Sequence, residues 1–438
     1  MGFRDILPAS LQTIVQDGIL DRVFEKPLVA LSLYDRLADV QPVPTGAGTQ
    51  FTSTRPGLLP IVSTPVTGND ASTNSYGFEQ WSVKVDQFAA AIDTNMLLSA
   101  TALASKFIED NHILATQAAQ SLNAVAQGAL YGAYGTGTTW VTTASTTSTA
   151  LVVNNANGFG YVLVPDSTTG TNPTEGLTGT TTPSLQPVSA SNPLNITVNG
   201  VANTVVAVDI ATNTLTLGTA ISATIGWDVV ASNAPVSFRP NSRATANDLT
   251  SSDLATLSLF NSAVTRLRAM NVPSVGGAYT AHVHPNTVEE LFQDPAFQRV
   301  YTGAATSEAY RDLSVGGGVG EGGVFLGRFS GIDWFMNTVT PTGTNVGGVN
   351  YYRPIVCGQD ALIKGPFDQM ADLLLGTASG TVEVQMINGV ARVWRAPLDR
   401  LGQVVSSAWS WIGGYTVGTD FLTGDAAIYK RGVVVEHA

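Results

Sequence analysis

From Asp93 to Leu130 apolar residues recur every three or four positions. Met96, Ala100, Leu103, Phe107, Leu114, Ala118, Leu122, Val125 and Ala129 fall on one stripe, the pattern of a helix with one face on a core. Asp93 or Thr94 can cap its start, and Gly132, Gly135 and Gly137 can end it. At about 1.5 Å per residue it would run roughly 50 Å. A second amphipathic helix is predicted from Leu254, Leu257, Phe260, Val264 and Leu267, and a third stretch near the start ends in the breaker-rich "QPVPTGAGTQ".

Other segments alternate with period two. "FEQWSVKVDQF" closes a Gly- and Pro-interrupted extended region that reads as a long two-stranded loop. In "NITVNGVANTVVAVDIATNTLTLGTAIS", Ile196 pairs in phase with Val198, then Val206 with Val208 and Ile210, then Leu215 with Leu217. Turn signals at Asn199-Gly200, 211–213 and 225–226 separate these runs, so a folded β-module is expected over about 136–236. Strands are also expected in "GIDWFMNTVT", "RPIVCGQDALIKG", "VEVQMINGVARVWRAP" and "VVSSAWSWIGGYTV". The outline is α+β.

Composition sharpens the picture. Only 12% of residues are charged, against 44% hydrophobic and 44 glycines. So few charges leave little to keep a free monomer soluble, which points to obligate assembly. A net charge of -12, without a Lys/Arg cluster, argues against a protein built to grip nucleic acid. No Lys or Arg falls between Lys106 and Arg239. The single cysteine, Cys357, excludes an intramolecular disulfide and reads as an inert buried thiol. The opening residues lack a secretory pattern and no apolar run is long enough to span a bilayer, so the expectation is a chain made in a cytoplasm that stays soluble or joins a particle.

Candidate chemistry is sparse. "AHVHP" holds His282 and His284, which an extended strand would project from one face. Zinc needs a third ligand, but the next residues read as a turn and a short helix with Glu289 and Glu290 exposed in its first turn, so a structural role is expected. His112 lies on the long helix as a solvated or core-edge side chain. Gly318, Gly320 and Gly323 spell G-x-G-x-x-G, but the strand-like "VFLGRFSGIDWF" comes after them where the dinucleotide motif needs a helix. Arg392, Arg395, Asp399 and Arg400 form the densest charge cluster and read as an interdomain or intersubunit ion-pair set. No phosphate loop, serine-hydrolase elbow or zincin motif occurs. No residue is assigned a catalytic, cofactor or metal role.

Four pieces, in order, resemble the major capsid proteins of tailed phages, in the branch found in N4-like phages. They are "YGFEQWSVKVDQFAAAIDTNMLLSATALASKFIEDNHILATQAAQSLNAVAQGAL", "YTAHVHPNTVEELFQDPAF", "GVFLGRFSGIDWFMNT" and "PLDRLGQVVSSAWSWIGGYTVGTDFLTGDAAIYKR". The resemblance implies an α+β fold of the Hong Kong 97 (HK97-like) type. Its parts are an N-arm over 1–45, an E-loop and P-domain strand over 46–90, a P-domain spine helix over 91–135, an A-domain with P-domain return over 237–395, and C-terminal P-domain strands over 396–438. The inserted all-β domain at 136–236 is not part of the minimal fold. The same resemblance places "HVHP" in a strand and turn of the A-domain. It implies a non-catalytic shell protein of the virion that assembles with itself into hexamers and pentamers around double-stranded DNA. Scaffolding, portal and decoration proteins are its expected further partners, with DNA near it only non-specifically and no membrane. A secreted carbohydrate-active or adhesive protein with a Thr-rich β-module is the alternative.

Overall fold

The computed structural model describes residues 19–31, 33–44, 48–56, 78–95, 103–164, 184–306, 325–367, 382–395, 404–421 and 428–438. Contacts divide the chain into two units, one of Met1–Ser53, Ser82–Gly128 and Leu362–Thr416, the other of Thr54–Trp81, Ala129–Ala361 and Val417–Ala438.

The first unit holds helix α1 (Ile19–Leu31), most of helix α2 (Leu103–Tyr134) and a six-stranded sheet. Its strands are β1 (Ala38–Val40), β4 (Asp86–Asn95), β20 (Leu362–Pro366), β21 (Val382–Ile387), β22 (Val390–Arg395) and β23 (Val404–Thr416). The thirteen-residue β23 is the spine of the sheet. β4 pairs with 404–413, while β22 and β20 pair with 406–410 and 413–416. One stripe of α2, Leu114, Ala118 and Leu122, packs with Phe24 and Leu28 of α1 onto Val384, Ile387, Trp409 and Trp411. Burying each large side chain here contributes on the order of 1.5–3 kcal/mol. Gly414 is required by contact, because a Cβ there would lie 1.9 Å from the Lys84 carbonyl oxygen.

The described part of the long helix starts at Leu103; Met96 and Ala100 of its expected stripe lie outside the described residues, and neither expected cap residue serves as one. Asp93 and Thr94 lie in β4, paired with Ser406 and Val405. Thr94 Oγ1 donates to Asp110 Oδ2 at 2.6 Å instead of capping a helix. Long-range pairing with β23 takes residues that locally read as a helix start.

β2 (Gln50–Pro56) and β3 (Phe78–Lys84) form a two-stranded ribbon. Glu79, Trp81 and Val83 of β3 are buried between exposed neighbours. The expected loop tip, 57–77, lies outside the described residues.

The second unit contains two sheets of six strands. One is β5 (Thr138–Trp140), β6 (Ser145–Val152), β9 (Leu194–Val198), β10 (Val201–Asp209), β11 (Thr214–Ala223) and β12 (Asp228–Ala231), all antiparallel in the order β5-β12-β9-β10-β11-β6. Its two ends meet: Val141 bridges Val153, Thr142 N donates to Val152 O at 3.0 Å, and Asn154 N donates to Trp140 O at 2.9 Å. The six strands therefore curl into a barrel whose first and last strands meet at one end. Leu151, Phe159, Leu194, Val205, Leu215 and Val229 fill it completely buried. The predicted phase of Val206, Val208 and Ile210 holds in part. Val208 packs half-buried against the barrel core, but at the bulge between Val205 and Ala207 it is Val205, not Val206, that is fully buried, and Ile210, just past the end of β10, is exposed. β7 (Tyr161–Val164) and β8 (Ser184–Pro187) pair as a separate hairpin.

The other sheet runs β13 (Ser237–Phe238), β24 (Gly432–Val435), β19 (Ile355–Cys357), β14 (Tyr279–Val283), β16 (Ile332–Met336), β15 (Phe325–Phe329). Helix α3 (Leu257–Ala269) places Phe260, Val264 and Leu267 in its core with Trp334 and Phe297. Helices α4 (Pro285–Gln293) and α5 (Pro295–Thr306) follow β14. A small ribbon, β17 (Thr342–Thr344) with β18 (Asn350–Tyr352), completes the unit. The strands within 396–438 fall in different sheets: β23 belongs to the first unit, whereas β24 lies between β13 and β19 in the second. Its continuous run, Val433, Val434 and Val435, is buried on both faces, as an interior strand of a covered sheet must be.

Candidate functional site

The two histidines that share a sequence motif do not share a site. β14 ends at Val283, so the alternation that would align His282 with His284 stops between them. His282 is buried in the sheet with its ring stacked on Phe335 at 5.6 Å. His284 is the N-cap of α4: its Nδ1 accepts from Asn286 N at 3.2 Å, and Pro285 occupies the first helical position. Its ring stacks on Tyr352 at 4.8 Å, and burial, with His437 nearby, pushes its pKa below the usual histidine value. Among the described residues no group of three His, Cys, Asp or Glu is placed to hold a metal.

Glu289 is exposed, but Glu290 is not free in solvent. It accepts from Ala255 N at 2.7 Å and lies 2.8 Å from Nδ1 of the buried His437, whose Nε2 is 2.7 Å from Thr287 Oγ1. Cys357 is fully buried, and burial drives its thiol well above the ordinary range. Arg392 is an ion-pair residue within its own unit. It binds Asp21 and Gln385 and lies 4.0 Å over the Trp394 ring. Arg395 is exposed, His112 is exposed on α2, and Asp399, Arg400, Gly318, Gly320 and Gly323 lie outside the described residues.

The densest polar construction was not visible in the sequence. Glu436, buried just beyond β24, receives Arg239 Nε at 2.5 Å on one oxygen and Arg353 Nε at 2.7 Å on the other. Arg239 also donates to Ala244 O at 2.7 Å and to Thr138 Oγ1 of β5 at 3.1 Å. Arg353 donates to Gly135 O at 2.7 Å, and its carbonyl accepts from Tyr131 OH at 2.6 Å. One carboxylate thus joins the end of α2, both ends of the barrel and the sheet of β24. Burial alone would raise the Glu436 pKa, but the two guanidiniums outweigh it and hold the carboxyl below its ordinary value. Beside this joint Trp140 meets Tyr351 edge-on at 6.3 Å, and Thr245 donates to Asp228 in the barrel. Burial and the neighbouring Asp248 push the Asp228 carboxyl up to about 6 against the lowering effect of Thr245.

A second cluster fixes the base of the β2–β3 ribbon. The Arg55 guanidinium stacks 5.0 Å over Trp81, donates to Thr419 O at 3.2 Å and pairs with Asp420 at 3.7 Å, while Glu79 accepts from Phe421 N at 3.1 Å. Asp420 also takes Arg431 Nε at 3.1 Å. These clusters hold charge through saturated pairing; their chemistry is mechanical, fixing segments against one another.

No protein-family profile and no curated relative matches the chain. Solved structures do. The capsid of Ralstonia phage GP4 is similar over 92% of this chain and 87% of its own, at 14% identity and a TM-score of 0.51. The cyanophage Pam1 capsid covers 90% of this chain and 86% of its own at 12% identity and TM-score 0.46, and that of cyanophage P-SCSP1u covers 93% and 88% at 12% and 0.43. The Ralstonia phage likeness fixes the fold. This chain has the α+β fold of that capsid chain, the HK97-like type that the sequence resemblance implied.

Proposed function

We propose that this chain is the major capsid protein of a tailed double-stranded DNA phage, a non-catalytic subunit that assembles with itself into an icosahedral shell. The observation that carries the reading is the fold match to a phage capsid chain over 92% of the residues. The low charge fraction and the β2–β3 ribbon support it, because a poorly charged surface and a two-stranded ribbon outside the larger sheets find their complement in neighbouring copies.

In this reading the first unit, with α2 as spine helix, acts as the P-domain, and the sheet of β14 and β24 acts as the A-domain. The ribbon at 50–84 is the base of the E-loop, and residues 1–45 the arm. The barrel within about 136–236 is an insertion on the outer face of the shell. Its acidic side chains and lack of Lys or Arg would repel packaged phosphates at short range. The virion is the destination and a bacterial host cytoplasm the place of synthesis, with scaffolding, portal and decoration proteins as further partners.

Sedimentation and negative-stain microscopy of the recombinant chain test the proposal. Shells, sheets or five- and six-fold rings are expected. A small discrete species that binds or cleaves glycans would favour the secreted carbohydrate-active or adhesive reading instead.

A further inference from the structure

Among the described residues many cations of this acidic chain are paired internally, as Arg239 and Arg353 pair with Glu436 and Lys364 with Asp35. Arg22 and Lys26 are exceptions. They stand four residues apart on α1, both exposed, and together with Val23 and with His112 of α2 they line a groove of about 330 Å³. Among the described residues none of these three basic side chains has a hydrogen-bonding or ionic partner. The acidic neighbour Asp21 is taken up by Arg392 and Gln385. Among the described residues no carboxylate lines the groove.

Like charges one helical turn apart cost a few tenths of a kcal/mol. In a chain of net charge -12 an Arg and a Lys without partners, beside a histidine of a second helix, leave this groove with positive charge to spare. It calls for an anion from outside. We infer that this groove binds the phosphodiester backbone of nucleic acid, without regard to base sequence. This rests on the reading of the chain as a shell around DNA.

Three features favour that ligand. An Arg fork and a Lys point charge side by side match phosphate oxygens. Each DNA strand offers a charge about every 3.4 Å along the helix axis, so cations one turn apart reach neighbouring phosphates. Among the described residues Val23 is the sole apolar lining residue and no aromatic ring lines the groove for a base to stack on, so the contact reads charge alone.

The test uses the full-length unassembled chain and a short fluorescein-labelled DNA duplex, with anisotropy measured across a salt series. Each phosphate contact contributes about 0.9 to the slope of log K against log salt. Arg22→Gln with Lys26→Gln is therefore expected to flatten the slope by roughly 1.8 and to weaken binding at low salt, with an unchanged thermal melt. Lys106→Gln, exposed on α2 outside the groove, leaves the slope as it was. Absence of wild-type binding at low salt, an unchanged slope in the double variant, or competition by polyglutamate equal to that by unlabelled DNA would each overturn the inference. Microscopy of the same proteins separates it from the parent reading. Shells with an unchanged slope sink the groove alone, whereas groove-dependent DNA binding by a chain that forms no shell sinks the capsid reading alone.

Discussion

Replacing Glu436 with Gln tests the joint on which the second unit is built. The carboxylate is buried and holds Arg239 at 2.5 Å and Arg353 at 2.7 Å. A neutral amide keeps the shape and removes the charge that both guanidiniums were desolvated to meet. Losing one partner of a buried ion pair costs about 3–5 kcal/mol, because the remaining charge is stranded. For a unit of this size each kcal/mol lowers the midpoint by about 2–4 °C, so Glu436→Gln is expected to melt roughly 6–20 °C early, with Trp140 and Trp334 reporting the transition. The pH dependence identifies the cause. Two guanidiniums hold the folded Glu436 carboxyl below its unfolded value, so its contribution is present above the unfolded value of about 4.5 and is lost as pH falls through the folded one. The gap between wild type and variant should therefore narrow as pH falls below about 4.5 and close only below the lower folded value. Urea titrations at neutral and acid pH measure it. A neutral-pH loss under about 1 kcal/mol, or a loss that persists undiminished in acid, would refute the reasoning.

Other perturbations act on single contacts. Asp228, raised to about 6, contributes stability below its unfolded pKa that fades as pH rises through 6. Protection from hydrogen exchange at the barrel end near Gly226, relative to the intrinsic rate at each pH, should therefore fall over that window in wild type and not in Asp228→Asn. Gly414→Ala forces a Cβ onto the Lys84 carbonyl and is expected to cost about 1–3 kcal/mol or more in chemical denaturation; a neutral result would mean that β23 does not approach Lys84 so closely. Phe260→Ala empties the space beside Trp334, 4.9 Å away, with an expected loss of about 3–5 kcal/mol. Cys357, buried with its thiol pushed up, should resist maleimide until denaturant is added, and labelling of the native chain would contradict its placement.

Much of the outline was legible because it is local. The stripe on α2, the helix of Phe260 and the alternation of Ile196 with Val198 all arise from periodicity within a few residues. The failures share a cause. Asp93 and Thr94 were claimed by β23, more than 300 positions later. A bulge in β10 made Val205 the fully buried residue in place of Val206. His284 left the face of His282 because Pro285 starts a helix. The Glu436 joint draws on partners 83 and 197 positions away, and a lone Glu after three valines was its only trace in the sequence. Long-range pairing, not propensity, decided each of these positions.

The central claim is that copies of this chain close into a shell, and electron cryomicroscopy of the assembled recombinant chain, alone or with a scaffolding protein from the same genome, tests it most directly. The account predicts closed icosahedral particles whose repeating density fits both units, with the 50–84 ribbon lying against a neighbouring copy and the barrel outside. Monodisperse monomers or small oligomers under every assembly condition, or particles whose subunit density does not accommodate the β14–β24 sheet and α2, would contradict it.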